Sequence, residues 1–176
     1  MKMSWSYEQK IRLVWEKSII DKYFPNRATW YNQTTINAYV DVAMTTNSDN
    51  KYTLRVYLSQ DHPNSCPEMV LVSPSNLRLK NGEALPRNEA KFHTTGERDT
   101  FIKICHSLPE LWMGDNTIYQ LFIKGRLWIE AYERHLDTGK DIDVYLKHKE
   151  DLSSSEEQIF RSKTLEEKKT SWCLIQ

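Results

Sequence analysis

Ile36-Asn37-Ala38-Tyr39-Val40-Asp41-Val42-Ala43-Met44 is followed, after Asn47-Ser48-Asp49-Asn50, by Tyr52-Thr53-Leu54-Arg55-Val56-Tyr57-Leu58. In both stretches every second residue is apolar: Ile36, Ala38, Val40, Val42 and Met44, then Tyr52, Leu54, Val56 and Leu58. Successive side chains of a strand point to opposite faces, so the alternation predicts two strands that bury one face. The polar Asn47–Asn50 connection predicts the turn of a hairpin. Met69-Val70-Leu71-Val72, ended by Pro74, predicts a third strand, and three antiparallel strands in succession make a meander.

Helical patterns flank the meander. Ser6 and Gln9 have capping-box spacing, and Ile11, Val14, Trp15, Ile19 and Tyr23 recur at helical intervals until Phe24-Pro25-Asn26. That helix is expected to pack on one face of the strands. Downstream, Asp115-Asn116-Thr117 is a helix-start signal for the stripe Ile118, Leu121, Phe122, Gly125, Trp128, Ile129, Tyr132 and Leu136, with Gly139 placed to end it. Gly125 costs a helix about 1 kcal/mol relative to alanine, which predicts a close approach there to the sheet or to Trp112. From Ser75 to Gly114 the chain loses periodicity, and so long a loop in a compact domain is usually functional. The chemistry is expected in that segment. The resulting class is α+β, with one domain over 1–146 and a charged, partly helical or flexible tail over 147–176.

Composition narrows the function. A length of 176 residues suits one domain with an appendage. The 24 basic and 24 acidic residues cancel, so no global field favours nucleic acid. No apolar run is long enough to span a bilayer, and Met1-Lys2-Met3-Ser4-Trp5 does not open a signal peptide. The expected location is cytoplasmic. Cys66, Cys105 and Cys173 are too few and scattered for a disulfide framework and read as free thiols.

Of the three, Cys105 stands in Ile104-Cys105-His106-Ser107-Leu108-Pro109-Glu110-Leu111-Trp112, twelve residues after His93 and between Gly96 and Gly114. Alone, behind Phe101, Ile102 and Ile104, it reads as a core cysteine. With His93 upstream it reads as a nucleophile, because a reactive thiol needs partial exposure and a neighbour that favours the thiolate. His93 itself reads either as a loop organiser or as an acid or base near neutral pH. His106 ranks below it, since adjacent residues of an extended chain point apart.

The order of helix, strand meander, irregular cysteine-bearing segment and helix resembles the ubiquitin-conjugating enzyme family over roughly Ser6 to Leu146. Tyr52-x-Leu54-x-Val56-x-Leu58 with His62-Pro63 and Cys66-Pro67 is similar to the family's second strand and the turn into its third. Phe92-His93, Ile104-Cys105 and Trp112 are similar to its histidine, cysteine and tryptophan. Trp128-Ile129-Glu130-Ala131-Tyr132-Glu133 with Thr138-Gly139 further resembles the bacterial branch found in antiphage and ubiquitin-like conjugation operons. The resemblance implies a ubiquitin-conjugating-like fold and a Cys105 thioester with a protein C-terminus. It implies as partners an activating enzyme, a ubiquitin-like modifier or nucleotidyltransferase-like acyl donor, and a target. The sequence departs from the family where Thr94-Thr95 replaces the Asn-bearing segment after the histidine; the Thr95 hydroxyl is the candidate donor to the oxyanion. A non-catalytic module of the same fold that binds and regulates a partner is the other reading.

His62-Pro63-Asn64 spells the family's signature tripeptide but stands before a strand rather than after one, with Cys66 only four residues on; it reads as a turn, and Cys66 as a core thiol. Neither paired Cys-x-x-Cys nor His-x-x-x-His spacing is present, so no metal is expected. No Gly-x-Ser-x-Gly elbow or phosphate loop occurs, and no cofactor is expected. Cys173-Leu174-Ile175-Gln176 has the form of a prenylation signal, the one route to a membrane; otherwise it is an apolar tail.

Overall fold

The computed structural model describes residues 4–105 and 109–146. His106, Cys173 and the 147–176 tail lie outside the described residues. Within them the chain forms helix α1 (Tyr7–Tyr23), strands β1 (Ala28–Tyr31), β2 (Tyr39–Thr45), β3 (Lys51–Tyr57), β4 (Glu68–Ser73), β5 (Asn88–Glu89), β6 (Thr94–Arg98) and β7 (Phe101–Ile104), and helix α2 (Ile118–Thr138). A short helical turn follows at 142–146. The fold is α+β.

All seven strands join one antiparallel sheet in the order β1-β2-β3-β4-β7-β6-β5. The alternating residues pair as their pattern requires: Val40 opposes Val56 and Val42 opposes Leu54, and all four are fully buried. Leu13 and Ile20 of α1 and Ile118, Leu121, Phe122, Trp128 and Ile129 of α2 close the core with the β2–β4 side chains.

Both capping boxes form. Ser6 Oγ accepts the Gln9 N–H while Gln9 Oε1 accepts the Ser6 N–H, and Thr117 and Gln120 do the same for α2. Gly139 ends α2 at φ 78°, a left-handed conformation that suits glycine. Gly125 faces the sheet: a Cβ there would lie 2.5 Å from both Leu54 Cδ1 and Met69 Sδ.

The buried face of α1 differs from the expected one. Of the expected stripe Ile19 is buried and Trp15 and Tyr23 partly so, but Ile11 and Val14 are exposed, at 54% and 69%, and Leu13, Glu16 and Ile20 are buried instead. The cause is Glu16, whose charge marks it as a surface residue by sequence but whose carboxylate has two buried uses. Its Oε1 pairs with Arg12 at 2.7 Å, and its Oε2 accepts the N–H of Ile118, the first residue of α2, at 3.1 Å. A carboxylate at a helix N-terminus meets unpaired N–H groups and the positive end of the dipole, which offsets its desolvation. Arg12 also donates to the carbonyls of Gly114 and Asn116, so α1 fastens the segment leading into α2.

His62-Pro63-Asn64 is a turn before β4, pinned from both sides. The His62 carbonyl accepts from Gln9 Nε2 at 2.9 Å and the Pro63 carbonyl from Trp112 Nε1 at 2.7 Å. The His62 ring is buried beside Trp5, and neither ring nitrogen has a partner among the described residues. Burial, reinforced by the positive Arg12, pushes its pKa down from 6.5 to about 4. The unfolded chain therefore binds a proton that the folded chain refuses. Stability from this group is intact above about pH 6.5 and falls as the pH drops to about 4, by ~3 kcal/mol. Urea titrations at pH 7 and pH 4.5 should show His62→Phe losing less stability than the wild type over that interval; equal losses would mean that the ring takes its proton while folded.

Candidate active site

The site forms where β6 and β7 run out. Their pairing brings Thr94 opposite Ile104, and one step further the Cys105 N–H donates to the His93 carbonyl at 2.8 Å. Cys105 and His93 are thus neighbours across the ladder, although twelve residues separate them. His93 caps a 3-10 turn (Ala90–Phe92) in the left-handed region, φ 51° and ψ 44°. That turn is held from below, since Trp128 Nε1 of α2 donates to the Phe92 carbonyl at 2.9 Å and Phe92 is buried.

A third residue arrives from the chain beyond α2. His93 Nε2 donates to Asp143 Oδ1 at 2.9 Å, both side chains being about one-quarter exposed. Several contacts place Asp143. His135 Nδ1 donates to the Lys140 carbonyl at 2.7 Å, and its Nε2 accepts the Lys80 N–H at 3.3 Å. Ile142, fully buried, anchors the next turn in the core, and Asp143 follows it directly.

With Nε2–H given to Asp143, Nδ1 is the nitrogen available to the thiol. The His93 pKa is raised, first by the hydrogen bond with the Cys105 side chain and then by Asp143, with burial opposing. A histidine raised in this way adds stability below its ordinary pKa and loses that contribution as the pH climbs through the folded value. An imidazole biased toward its charged form is also the neighbour that favours a thiolate.

Cys66 differs from Cys105 in its environment. Burial pushes its thiol from 9.0 up to about 11, only partly countered by Lys124, and its Sγ contacts the Pro67 carbonyl. It is a structural thiol. Thr95 lies on the exposed side of β6, opposite Asn88. Its neighbour Thr94 is buried, donating to the Pro86 carbonyl and accepting the Glu89 N–H. The structure thus joins Cys105 to His93 and leaves Thr95 at the rim. Among the described residues, no group of three His, Cys, Asp or Glu side chains is arranged to hold a metal ion, and no helix is long and apolar enough to cross a membrane.

Comparison with family models, with curated proteins and with solved structures finds no match. A partly exposed thiol, an imidazole beside it and a carboxylate orienting the imidazole are the groups with which a cysteine can be activated as a nucleophile, whatever their order in the chain.

Proposed function

We propose that the protein is a ubiquitin-conjugating-like carrier: Cys105 accepts a protein C-terminus as a thioester from an activating enzyme and passes it to a target. The observation that carries this reading is the pairing of Cys105 with His93 at the end of the sheet. The order of helix, antiparallel strands, cysteine-bearing loop and helix also supports it, because it is the order that the family resemblance implies. The setting that goes with the reading is a cytoplasmic bacterial conjugation pathway of the antiphage kind, with a ubiquitin-like or nucleotidyltransferase-like acyl donor. In the transfer, the Cys105 thiolate attacks the donor's thioester carbonyl, the activating enzyme's thiolate departs, and a target nucleophile later displaces Cys105. Thr95 is the proposed donor to the oxyanion from the rim.

The test is reconstitution with the cognate activating enzyme, modifier and ATP. Wild-type protein should form a reductant-sensitive adduct, Cys105→Ser should lose it or trap a reductant-stable ester, and Cys66→Ser should charge normally. Full conjugation by Cys105→Ser would rule out the carrier mechanism and leave a partner-binding module in its place.

A further inference from the structure

We infer that Cys105, His93 and Asp143 form a self-sufficient thiol acyl-transfer site, which takes an acyl group from a free peptide thioester without an activating enzyme and delivers it to water. The inference rests on Cys105 as the nucleophile of the reading above, but on no modifier or activating enzyme.

Thioester exchange needs only a thiolate, because one sulfur replaces another of similar basicity. Exchange alone makes no demand for an oriented base, whereas attack by water on the acyl carbon does. This site has one. The 2.9 Å bond from Nε2–H to Asp143 Oδ1 fixes the tautomer whose Nδ1 carries the lone pair, and the 2.8 Å backbone bond from Cys105 N–H to the His93 carbonyl holds the two residues side by side, leaving Nδ1 as the nitrogen for the thiol. Once Sγ is acylated, the same lone pair faces the carbonyl carbon from which water must displace the thiolate. Asp143, held by the buried Ile142 and the His135–Lys140 bond, acts as a positioning residue.

The steps balance without a redox partner. In acylation the Cys105 proton passes to His93 Nδ1, the Sγ–C bond forms, the donor's C–S bond breaks, and the leaving thiolate takes the proton from His93. In deacylation water gives a proton to His93, its oxygen bonds to the acyl carbon, the Sγ–C bond breaks, and the Cys105 thiolate recovers the proton. The net reaction is thioester plus water to carboxylic acid plus thiol. The half-exposed thiol suits an extended chain end as the acyl donor.

The full chain should be incubated with a fluorescent peptide ending in a glycyl thioester of mercaptoethanesulfonate, following the adduct by intact mass and the free peptide acid by chromatography. The expected result is one adduct on Cys105 and continuing release of acid, absent in Cys105→Ser. His93→Gln should slow release by about 10²-fold, the scale of general-base catalysis. Release needs neutral His93, so its rate should rise with pH through the His93 pKa. Asp143→Asn removes a carboxylate that raises that pKa and should move the inflection to lower pH while reducing the plateau; a merely structural Asp143 would reduce the rate without moving it. Equal release by wild type and Cys105→Ser would overturn the inference. So would an adduct that thiols or amines discharge but water does not, a result that leaves the carrier reading standing. Failure of both this donor and the activating enzyme to load Cys105 would remove both.

Discussion

Leu54→Asp is expected to abolish cooperative folding. Leu54 is fully buried in β3, directly beneath Gly125 of α2 and among apolar core side chains. An unpaired charge at such a place costs upwards of ~4 kcal/mol, a large part of the ~5–15 kcal/mol that holds an ordinary domain together. Ala43→Asp is the matched control, because Ala43 sits on the exposed face of the adjacent strand β2 and should change stability by less than ~0.5 kcal/mol. Urea denaturation followed by circular dichroism distinguishes the two. A normal midpoint for Leu54→Asp would show that the sheet buries its other face.

The second large effect is on thiol reactivity. With pKa about 11 in place of 9.0, Cys66 holds ~100-fold less thiolate at neutral pH than an unperturbed cysteine, each pKa unit being a factor of ten. Both thiols are partly exposed, but Cys105 lies beside His93, its N–H bonded to the His93 carbonyl. In a Cys173→Ser background, limiting iodoacetamide should therefore label Cys105 well ahead of Cys66, and His93→Gln should narrow the gap by slowing Cys105 alone. Peptide mapping reads both rates. Preferential labelling of Cys66 would displace the site from the β6–β7 end.

How much of this was legible in the sequence depended on how local each signal was. The capping boxes at Ser6 and Thr117 are satisfied within four residues, and the alternation of β2 and β3 repeats over seven residues each, so these elements could be read directly. The short strands left weaker signals: β7 could be read only as the apolar Phe101, Ile102 and Ile104, and β5, with two residues, is too short to show a period. They exist because neighbours pair with them. The face of α1 was misread because the decisive interaction, Glu16 with the first N–H of α2, spans 102 residues.

The site shows the same division. Cys105 and His93 were singled out as candidates from residue type and spacing, and their adjacency follows from the ladder of β6 and β7. Asp143 was not found. It lies 50 residues from His93, on a turn too short for periodicity, and its only sequence signal is the stop at Gly139 followed by a single apolar residue, Ile142, between two aspartates. Thr95 was chosen for its distance from the histidine, and strand alternation turned it outward while Thr94 took the buried position.

Gly125 serves the site from a distance. Because a Cβ at that position would collide with Leu54 and Met69, α2 rests on the sheet through bare backbone, and the neighbours of this glycine are Lys124 and Arg126. A slip of α2 by one residue in either direction would drive a cation into the notch, so the helix has a single seat. Everything attached to α2 inherits that indexing: Trp128 under the His93 turn, His135 at Lys140, and finally Asp143. The placing of Asp143 against His93 is therefore set less by the loop that holds the cysteine than by a missing side chain elsewhere on the helix, and crowding that notch would detune the proposed chemistry without touching Cys105, His93 or Asp143.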